Sequence, residues 1–331
     1  MNCPLNQLFS KGTSDIVFQY ISSQKNDQRM KLGKHSFKEW LAATRYWSFP
    51  VSTMPVTVTF AWLVSKGLLP SGYMPFVVLI LSLVGVMLLH AGGNVLSDLA
   101  DYRSGVDNPD AFAVGNLVFG HFREREYLVF GILLLATGVV VGIAITLLSG
   151  PGLLWIGGAG VLFTIAYPWL KYHALGDADI FLVFGILPVI GTAYAVTGSF
   201  HPEALILSVP VGIITVSVLH ANNTYDTESD RKAGIKTFGM ILGLKVSAIL
   251  YCAYMIVPFV SIASSVATGL LHPLSLLCLV AIPAAWKNLK QAAHYKELGL
   301  EAMKGLDQAS AKLQLVFSLP LAFGLIMAGL L

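Results

Sequence analysis

The chain has 331 residues, of which 55% are hydrophobic and only 12% charged, and its net charge is +3. Soluble domains carry about 25% charged residues, so this composition excludes an ordinary soluble enzyme and predicts an all-α, polytopic membrane protein. The small net charge gives no reason to expect a nucleic-acid partner. The three cysteines have neither disulfide nor zinc spacing, so we expect them to be packing residues.

The first 44 residues are polar and contain several lysines but no apolar core of a signal peptide. We expect them to form a cytosolic tail that ends in an interfacial helix near residues 37–44. From residue 45 to residue 331, repeated apolar runs predict one transmembrane domain of about nine helices. The predicted spans are 47–66, 75–97, 127–148, 152–169, 179–198, 204–221, 243–264, 268–286 and 313–331.

Positive charge is distributed unevenly between the alternate loops. With a cytosolic N-terminus, nearly all lysines and arginines fall on the cytosolic side, and Lys66 is the exception. The positive-inside rule therefore predicts a cytosolic N-terminus and places the C-terminus at Leu331 outside. Since no transit peptide is evident, we expect the inner (plasma) membrane of a bacterium.

Two acidic stretches each follow a long apolar run on the predicted cytosolic side. Asp98 and Asp101 are three residues apart, and this spacing puts both carboxylates on one helix face. Asp226 and Asp230, four residues apart, also share a face. A charged Asp costs about 2.5–3.5 kcal/mol at a helix centre in the bilayer and less toward its edge, and four carboxylates repel one another. The pattern therefore predicts that cations bind among them.

The two stretches also have similar flanking sequences. Asn94 and Asn222 each precede the first Asp of a pair by four residues, and Leu-His-Ala occurs at 89–91 and again at 219–221. An internal duplication would leave this pattern, and parallel repeats in membrane bundles often place a site at their interface. We therefore expect the two stretches to face each other.

Facing pairs of carboxylates suit a particular chemistry. Mg²⁺ prefers one or two carboxylates together with phosphate oxygens, so the two pairs would hold a diphosphate between two Mg²⁺ ions. The metal ions would also stabilise diphosphate as a leaving group. Cations near the same helix ends would neutralise further phosphate oxygens. These cations are Arg103, Lys171, Arg231 and Lys236.

The apolar bundle beneath this polar end suits a hydrocarbon tail. Loss of diphosphate from an allylic carbon leaves a carbocation, which aromatic faces can stabilise. Aromatic residues of this kind are also typical of the membrane interface, so each alone is weak evidence. Those near the acidic stretches are Tyr102, Tyr167, Trp169, Tyr172 and Tyr225.

On these motifs the chain resembles the UbiA superfamily of intramembrane prenyltransferases, whose two Asp-rich motifs follow the second and sixth helices. Within that superfamily it most resembles the 1,4-dihydroxy-2-naphthoate polyprenyltransferases of menaquinone biosynthesis. The stretches that carry this closer resemblance are 94–107, 167–177, 184–198 and 222–237. Ser97 departs from the family pattern, because an Asn usually stands there, and a hydroxyl offers fewer hydrogen bonds than an amide.

The resemblance implies an all-α, UbiA-like bundle and an Mg²⁺-dependent transfer from a polyprenyl diphosphate to an aromatic acceptor, here 1,4-dihydroxy-2-naphthoate. It implies that catalysis and binding of two Mg²⁺ ions depend on Asp98, Asp101, Asp226 and Asp230. The substrate-binding residues that it implies are Asn94, Ser97, Tyr102, Arg103, Tyr167, Lys171, Asn222 and Lys236.

Other interpretations remain open from the sequence. The acceptor could instead be of the 4-hydroxybenzoate, haem or chlorophyll type. A different class, an ion-coupled secondary transporter, would use the intramembrane His90 and His220 as proton relays. Such a transporter would place its carboxylates near the midplane, whereas these acids fall at helix ends. A purely structural role in the membrane would not explain why the chain has paired aspartates.

Overall fold

The computed structural model describes residues 35–107 and 116–331, so most of the predicted polar tail lies outside the described residues. The described chain forms a bundle of packed helices, which confirms the all-α fold. The helices are α1 (Phe37–Ala43), α2 (Pro50–Ser65), α3 (Met74–Ser104), α4 (Glu124–Ser149), α5 (Leu153–Tyr172), α6 (Gly176–Thr197), α7 (Pro202–Tyr225), α8 (Thr227–Lys232), α9 (Phe238–Ala267), α10 (Ile282–Ala293), α11 (Tyr295–Leu298) and α12 (Leu306–Leu330).

Seven of the described helices are long and apolar enough to cross a bilayer, namely α3, α4, α5, α6, α7, α9 and α12. The chain is therefore a multi-pass membrane protein. The predicted span 47–66 corresponds to α2, which has 16 residues. The predicted span 268–286 corresponds to a 3₁₀ segment, Pro273–Ala281, that leads into α10. The total of nine spans stays a prediction.

Two helices continue further than the sequence suggested. We placed the ends of the second and sixth spans at 97 and 221, with the acidic residues in loops. Instead α3 continues to Ser104 and carries Asp98 and Asp101 within its last turns. The sixth span, α7, continues to Tyr225, and the following short helix α8 contains Asp230. Hydropathy ends a span at its first charges, whereas α3 continues because cations from two other segments pair with its acids.

Small residues set the close approach of the helices, as is usual in membranes. Helix α3 packs against α4, and each helix contributes a glycine to the contact. A Cβ atom on Gly92 would lie 2.8 Å from the Leu135 side chain, and one on Gly131 would lie 2.6 Å from Leu96. Leucines of each helix therefore fit over glycines of the other. This contact fixes the position of α3, which carries the first acidic pair.

The C-terminal helix depends on a similar contact, which generates the first prediction. At Gly324, α12 lies so close to the segment Pro273–Ala281 that an added Cβ would overlap the Leu274 carbonyl group. We expect Gly324→Ala to lower the free energy of unfolding by about 1–3 kcal/mol, because backbone must move to admit the methyl group. Thermal unfolding of the detergent-purified protein measures this effect.

The matched control is Gly142→Ala in α4, where an added Cβ would meet no atom within 4 Å. That change should leave the melting temperature equal or slightly higher, because Ala favours the helix over Gly by about 0.5–1 kcal/mol. Equal melting temperatures for the two variants would contradict the close packing of α12.

Candidate active site

A cavity of about 910 Å³ extends along α3 from Ser82 to Asp101. At 1.5 Å per residue, these positions span about 28 Å of helix, close to the thickness of a bilayer core. Asp226 and Asp230 line the same end of the cavity as Asp101. Glycine and aliphatic residues such as Gly142 and Leu153 line the rest. The two acidic stretches thus meet at the polar end of one long, mainly apolar cavity.

The first acidic pair is held by cations from two other segments. Arg45, just before α2, forms an ion pair with Asp98. The Nζ atom of Lys171 donates a hydrogen bond of 3.0 Å to Asp101 Oδ2. The hydroxyl of Tyr172 donates another, of 2.7 Å, to Asp101 Oδ1. Both carboxylates are buried, with 3% and 5% of their residue surfaces exposed. Because buried charges need partners, these contacts determine where α3 can lie.

The second acidic pair has fewer partners. The Asn222 amide donates a hydrogen bond of 2.8 Å to Asp226 Oδ2. Asp230 is only 1% exposed. Burial raises the pKa of Asp226 to about 6 and that of Asp230 to about 7, and Lys171 partly opposes both shifts. The ionised forms of this pair are therefore costly where they stand, and a nearby cation would stabilise them.

The donor atoms fit a hard divalent cation. Asp98 Oδ2 and Asp230 Oδ2 are buried without a hydrogen-bond partner among residues 35–107 and 116–331. Across those same residues, no three His, Cys, Asp or Glu side chains form a preassembled metal site. Mg²⁺ accepts such a set, because it takes one or two carboxylates and completes its shell with water and phosphate oxygens. The residues present therefore fit Mg²⁺ bound jointly with a diphosphate.

Several predicted substrate-binding residues reach the cavity. The amide of Asn94 also holds the chain before α2, since its Nδ2 atom donates a hydrogen bond of 3.0 Å to the Thr44 carbonyl oxygen. Its predicted contact to diphosphate would have to coexist with this bond. Those that line the cavity are Asn94, Ser97, Tyr167, Lys171 and Asn222.

Four predicted site residues, Asp98, Tyr102, Arg103 and Lys236, are not among the residues that line the cavity. Arg103 donates a hydrogen bond of 2.8 Å from Nε to Glu124 Oε2 at the surface. Lys236 is exposed, and its backbone N–H donates to the Tyr172 carbonyl oxygen at 3.2 Å. Closeness in sequence to the Asp motifs did not determine the direction of these side chains.

Other functional candidates were missed in the sequence. Arg45, which has no predicted role at the site, lines the cavity in a left-handed conformation with φ of 53°. Asp107, which has no predicted role either, also lines the cavity, and burial raises its pKa to about 7. Asp179 and Lys304 also line it. The only signal for Arg45 was its position immediately before the first span.

The two intramembrane histidines have hydrogen-bond partners. His90 lies between two serine hydroxyls, 3.3 Å from Ser48 and 3.1 Å from Ser52. The Nδ1 atom of His220 lies 2.7 Å from Asp177 Oδ2, and its Nε2 atom lies 3.1 Å from the Ser247 carbonyl oxygen. These contacts explain both histidines as parts of the packing beneath the site.

Comparisons with known proteins agree with this geometry. The model of the UbiA prenyltransferase family matches residues 53–299. The chain is 32% identical over 303 residues to mouse UbiA prenyltransferase domain-containing protein 1, covering 89% of this chain and 86% of that protein. It is 32% identical over 297 residues to the human protein of that name, covering 87% of this chain and 83% of that protein.

Solved structures share the fold. A UbiA homolog from Aeropyrum pernix matches with a TM-score of 0.65 and 21% identity, covering 84% of this chain and 97% of that one. A UbiA homolog from Archaeoglobus fulgidus, bound to GPP and Mg²⁺, matches with a TM-score of 0.63 and 14% identity, covering 87% and 99%. The UbiA-like fold is therefore confirmed.

The ion pair between Arg45 and Asp98 generates a prediction on stability. We expect Arg45→Met to lower the free energy of unfolding by roughly 3–5 kcal/mol, because it leaves the buried Asp98 carboxylate without its partner. Asp98→Leu should cost less, because the Arg45 side chain that it leaves unpaired is 31% exposed. The double variant should lose much less than the sum of the two losses. Thermal unfolding of the wild type, the two single variants and the double variant, all without Mg²⁺, completes this double-mutant cycle. Additive losses would show that the two side chains do not interact.

The second acidic pair generates a prediction on pH. The pKa values of Asp226 and Asp230, about 6 and 7, lie above the ordinary value of 3.8, so the folded state binds more protons than the unfolded state between those limits. Stability without Mg²⁺ should therefore fall as pH rises from 4 to 7. Mg²⁺ should raise the melting temperature more at pH 8 than at pH 5.

The matched variant for this pH experiment is Asp226→Asn with Asp230→Asn. It should show a shallower fall of melting temperature with pH and little response to Mg²⁺. A melting temperature that rises between pH 4 and 7, or the same pH profile in the double variant as in the wild type, would show that Asp226 and Asp230 do not cause the pH dependence.

Proposed function

Because the chain belongs to the UbiA prenyltransferase family, we propose that it transfers a polyprenyl group from a polyprenyl diphosphate to 1,4-dihydroxy-2-naphthoate in menaquinone biosynthesis. Membership of this family makes the chain a multi-pass prenyltransferase. We propose the acceptor, the pathway and the roles of the residues.

One observation carries the proposal. Asp101, Asp226 and Asp230 line the polar end of a cavity whose remaining wall is mainly apolar, and Asp98 pairs with Arg45, which lines the same cavity. A molecule with a diphosphate head and a long hydrocarbon tail matches this division. Burial of the tail contributes about 0.8 kcal/mol per CH₂ group. A homolog of the same fold is described as bound to GPP and Mg²⁺, an allylic diphosphate and the expected ion.

The residues have distinct roles in this proposal. Asp98, Asp101, Asp226 and Asp230 would hold two Mg²⁺ ions, directly or through water. When bound, Mg²⁺ neutralises the charge that develops on diphosphate as it leaves. Lys171 contacts Asp101 at 3.0 Å, so its ammonium group lies beside the proposed diphosphate position. It would add positive charge there to that of the two Mg²⁺ ions.

The cavity wall next to this position contains an aromatic residue that would stabilise the carbocation. Tyr167 lies one helical turn before Lys171 on α5, and both line the cavity. An aromatic face here would stabilise an allylic cation after diphosphate departs. The apolar walls would also limit access of water, which would otherwise capture the cation as an alcohol.

The proposed orientation follows from charge. The acidic pairs lie at the ends of α3 and α7 that the positive-inside rule assigns to the cytosol. A charged diphosphate and a charged aromatic acid would then enter from the cytosol, while the tail lies in the bundle. The proposed location is the inner (plasma) membrane, with the N-terminus cytosolic and the C-terminus outside.

Two alternatives are distinguished by experiment. Other aromatic acceptors, of the 4-hydroxybenzoate, haem or chlorophyll type, would use the same diphosphate chemistry. An ion-coupled transporter is less well supported. The acids lie at helix ends, and His90 and His220 are already hydrogen-bonded.

The second acidic pair gives the direct test. We expect Asp226→Asn to lower Mg²⁺-dependent prenyl transfer at least 100-fold in membranes supplied with a polyprenyl diphosphate and 1,4-dihydroxy-2-naphthoate. The loss of one carboxylate weakens the hold on Mg²⁺ and on the leaving group. Mass spectrometry of the lipid product measures the rate and identifies the acceptor. Parallel assays with 4-hydroxybenzoate test the first alternative.

The matched control is Glu228→Gln, an exposed acid two residues away in the first turn of α8. It should retain wild-type transfer. Full activity of Asp226→Asn, or equal losses in the two variants, would remove the role assigned to the second pair.

A further inference from the structure

Asp179 is a buried carboxylate of the cavity wall that the proposed roles leave unused. It lines the cavity and is only 5% exposed. Its Oδ1 atom has no hydrogen-bond partner within the part of the chain that the structure describes. A buried carboxylate oxygen without a partner costs free energy, so its place in a ligand cavity points to a ligand that carries a hydrogen-bond donor.

The start of α6 explains why this side chain faces the cavity. Asp177 and Asp179 both lie in its first turn, and two residues of a helix are about 200° apart, on opposite faces. Asp177 contacts His220 at 2.7 Å, which directs that face toward α7. The opposite face, with Asp179, then borders the cavity. The helix N-terminus also favours a negative charge at this position.

The same turn is close to the diphosphate end. A Cβ atom on Gly176 would lie 3.4 Å from the Cα atom of Lys171, so α6 begins against the residue that holds Asp101. Asp179 therefore lines the cavity about one turn of α6 away from this contact, in the wall that an aromatic acceptor would approach.

Asp179 differs from the first acidic pair in its partners. Asp98 and Asp101 are matched with Arg45 and Lys171, whereas the structure gives Asp179 no ion pair among the described residues. A carboxylate without a bound cation is free to accept a proton, which is the property that a base requires.

We propose that Asp179 is the general base that accepts the hydroxyl proton of the aromatic acceptor. This inference rests on the proposed function and adds a catalytic residue to it. The partner that it recognises is the acidic O–H group of a hydroxylated aromatic ring.

In the proposed reaction, the C1–O bond of the allylic diphosphate breaks, and its electron pair leaves on the diphosphate. The ring carbon that carries the carboxylate forms a bond to C1, while the neighbouring hydroxyl loses its proton to Asp179 and becomes a ketone. The resulting β-keto carboxylate loses CO₂, its electron pair returns to the ring, and the enolate oxygen takes the proton back from Asp179.

The test compares Asp179→Asn with the wild type in proteoliposomes. We expect prenyl transfer to 1,4-dihydroxy-2-naphthoate to fall about 10²–10⁴-fold, the usual contribution of a general base. Mg²⁺-dependent binding of the polyprenyl diphosphate should stay within twofold. Asp179→Glu keeps a carboxylate on a longer side chain, so it should be faster than Asp179→Asn. This variant distinguishes loss of the base from misfolding.

A series of naphthol acceptors of graded hydroxyl acidity supplies a readout that a structural role would not move. The loss in Asp179→Asn should be greatest for the least acidic acceptor and should shrink for acceptors already ionised at the assay pH. A loss that is the same for every acceptor, or weaker diphosphate binding in the variant, would overturn the inference.

The two proposals fail in different ways. A wild-type protein that prenylates no hydroxylated aromatic acceptor would refute the proposed function. A wild-type protein that does so, with Asp179→Asn equally fast on every acceptor, would refute only the role of Asp179.

Discussion

Two buried ion pairs, Arg45 with Asp98 and Lys171 with Asp101, are the interactions on which the site depends. Without partners, two carboxylates in the wall of a membrane bundle would have to be protonated or exposed. The pairs instead let α3 continue past its apolar run to Ser104. They also tie three separate segments together, because one cation precedes α2 and the other ends α5. The geometry of the first motif is therefore a consequence of charge balance.

The two motifs differ in their balance of charge. The first is matched by protein cations, whereas within residues 35–107 and 116–331 an amide and no cation contacts Asp226. Burial raises the pKa values of Asp226 and Asp230 well above that of an exposed Asp. A divalent cation brought with a diphosphate would complete the second motif, so substrate and metal would stabilise each other's binding. Asp179 stands apart from both, in a part of the wall where a proton rather than a metal ion is the expected partner.

Much of this could be predicted from the sequence, because it depends on local patterns. Apolar runs of membrane length indicated the spans, and repeated Asn-x-x-x-Asp stretches indicated the polar end of the cavity. Ion pairs between distant residues could not be predicted. Arg45 reaches Asp98 across 53 positions and needs a left-handed backbone to do so. Arg103 and Lys236 looked equally suitable, but the side chain of Arg103 pairs with Glu124, and Lys236 is exposed. Asp179 carries no sequence motif that sets it apart, and its place in the cavity wall with an oxygen unpartnered in the described chain is visible only in the structure.

The central claim is that both acidic pairs bind the metal ions of one diphosphate. Electron paramagnetic resonance with Mn²⁺ in place of Mg²⁺, in the presence of a non-reactive polyprenyl thiodiphosphate, tests it most directly. We expect two Mn²⁺ ions per chain, close enough for their spins to couple, with the coupling lost in either Asp98→Asn or Asp226→Asn. Uncoupled ions, or binding that is unchanged in both variants, would contradict the account.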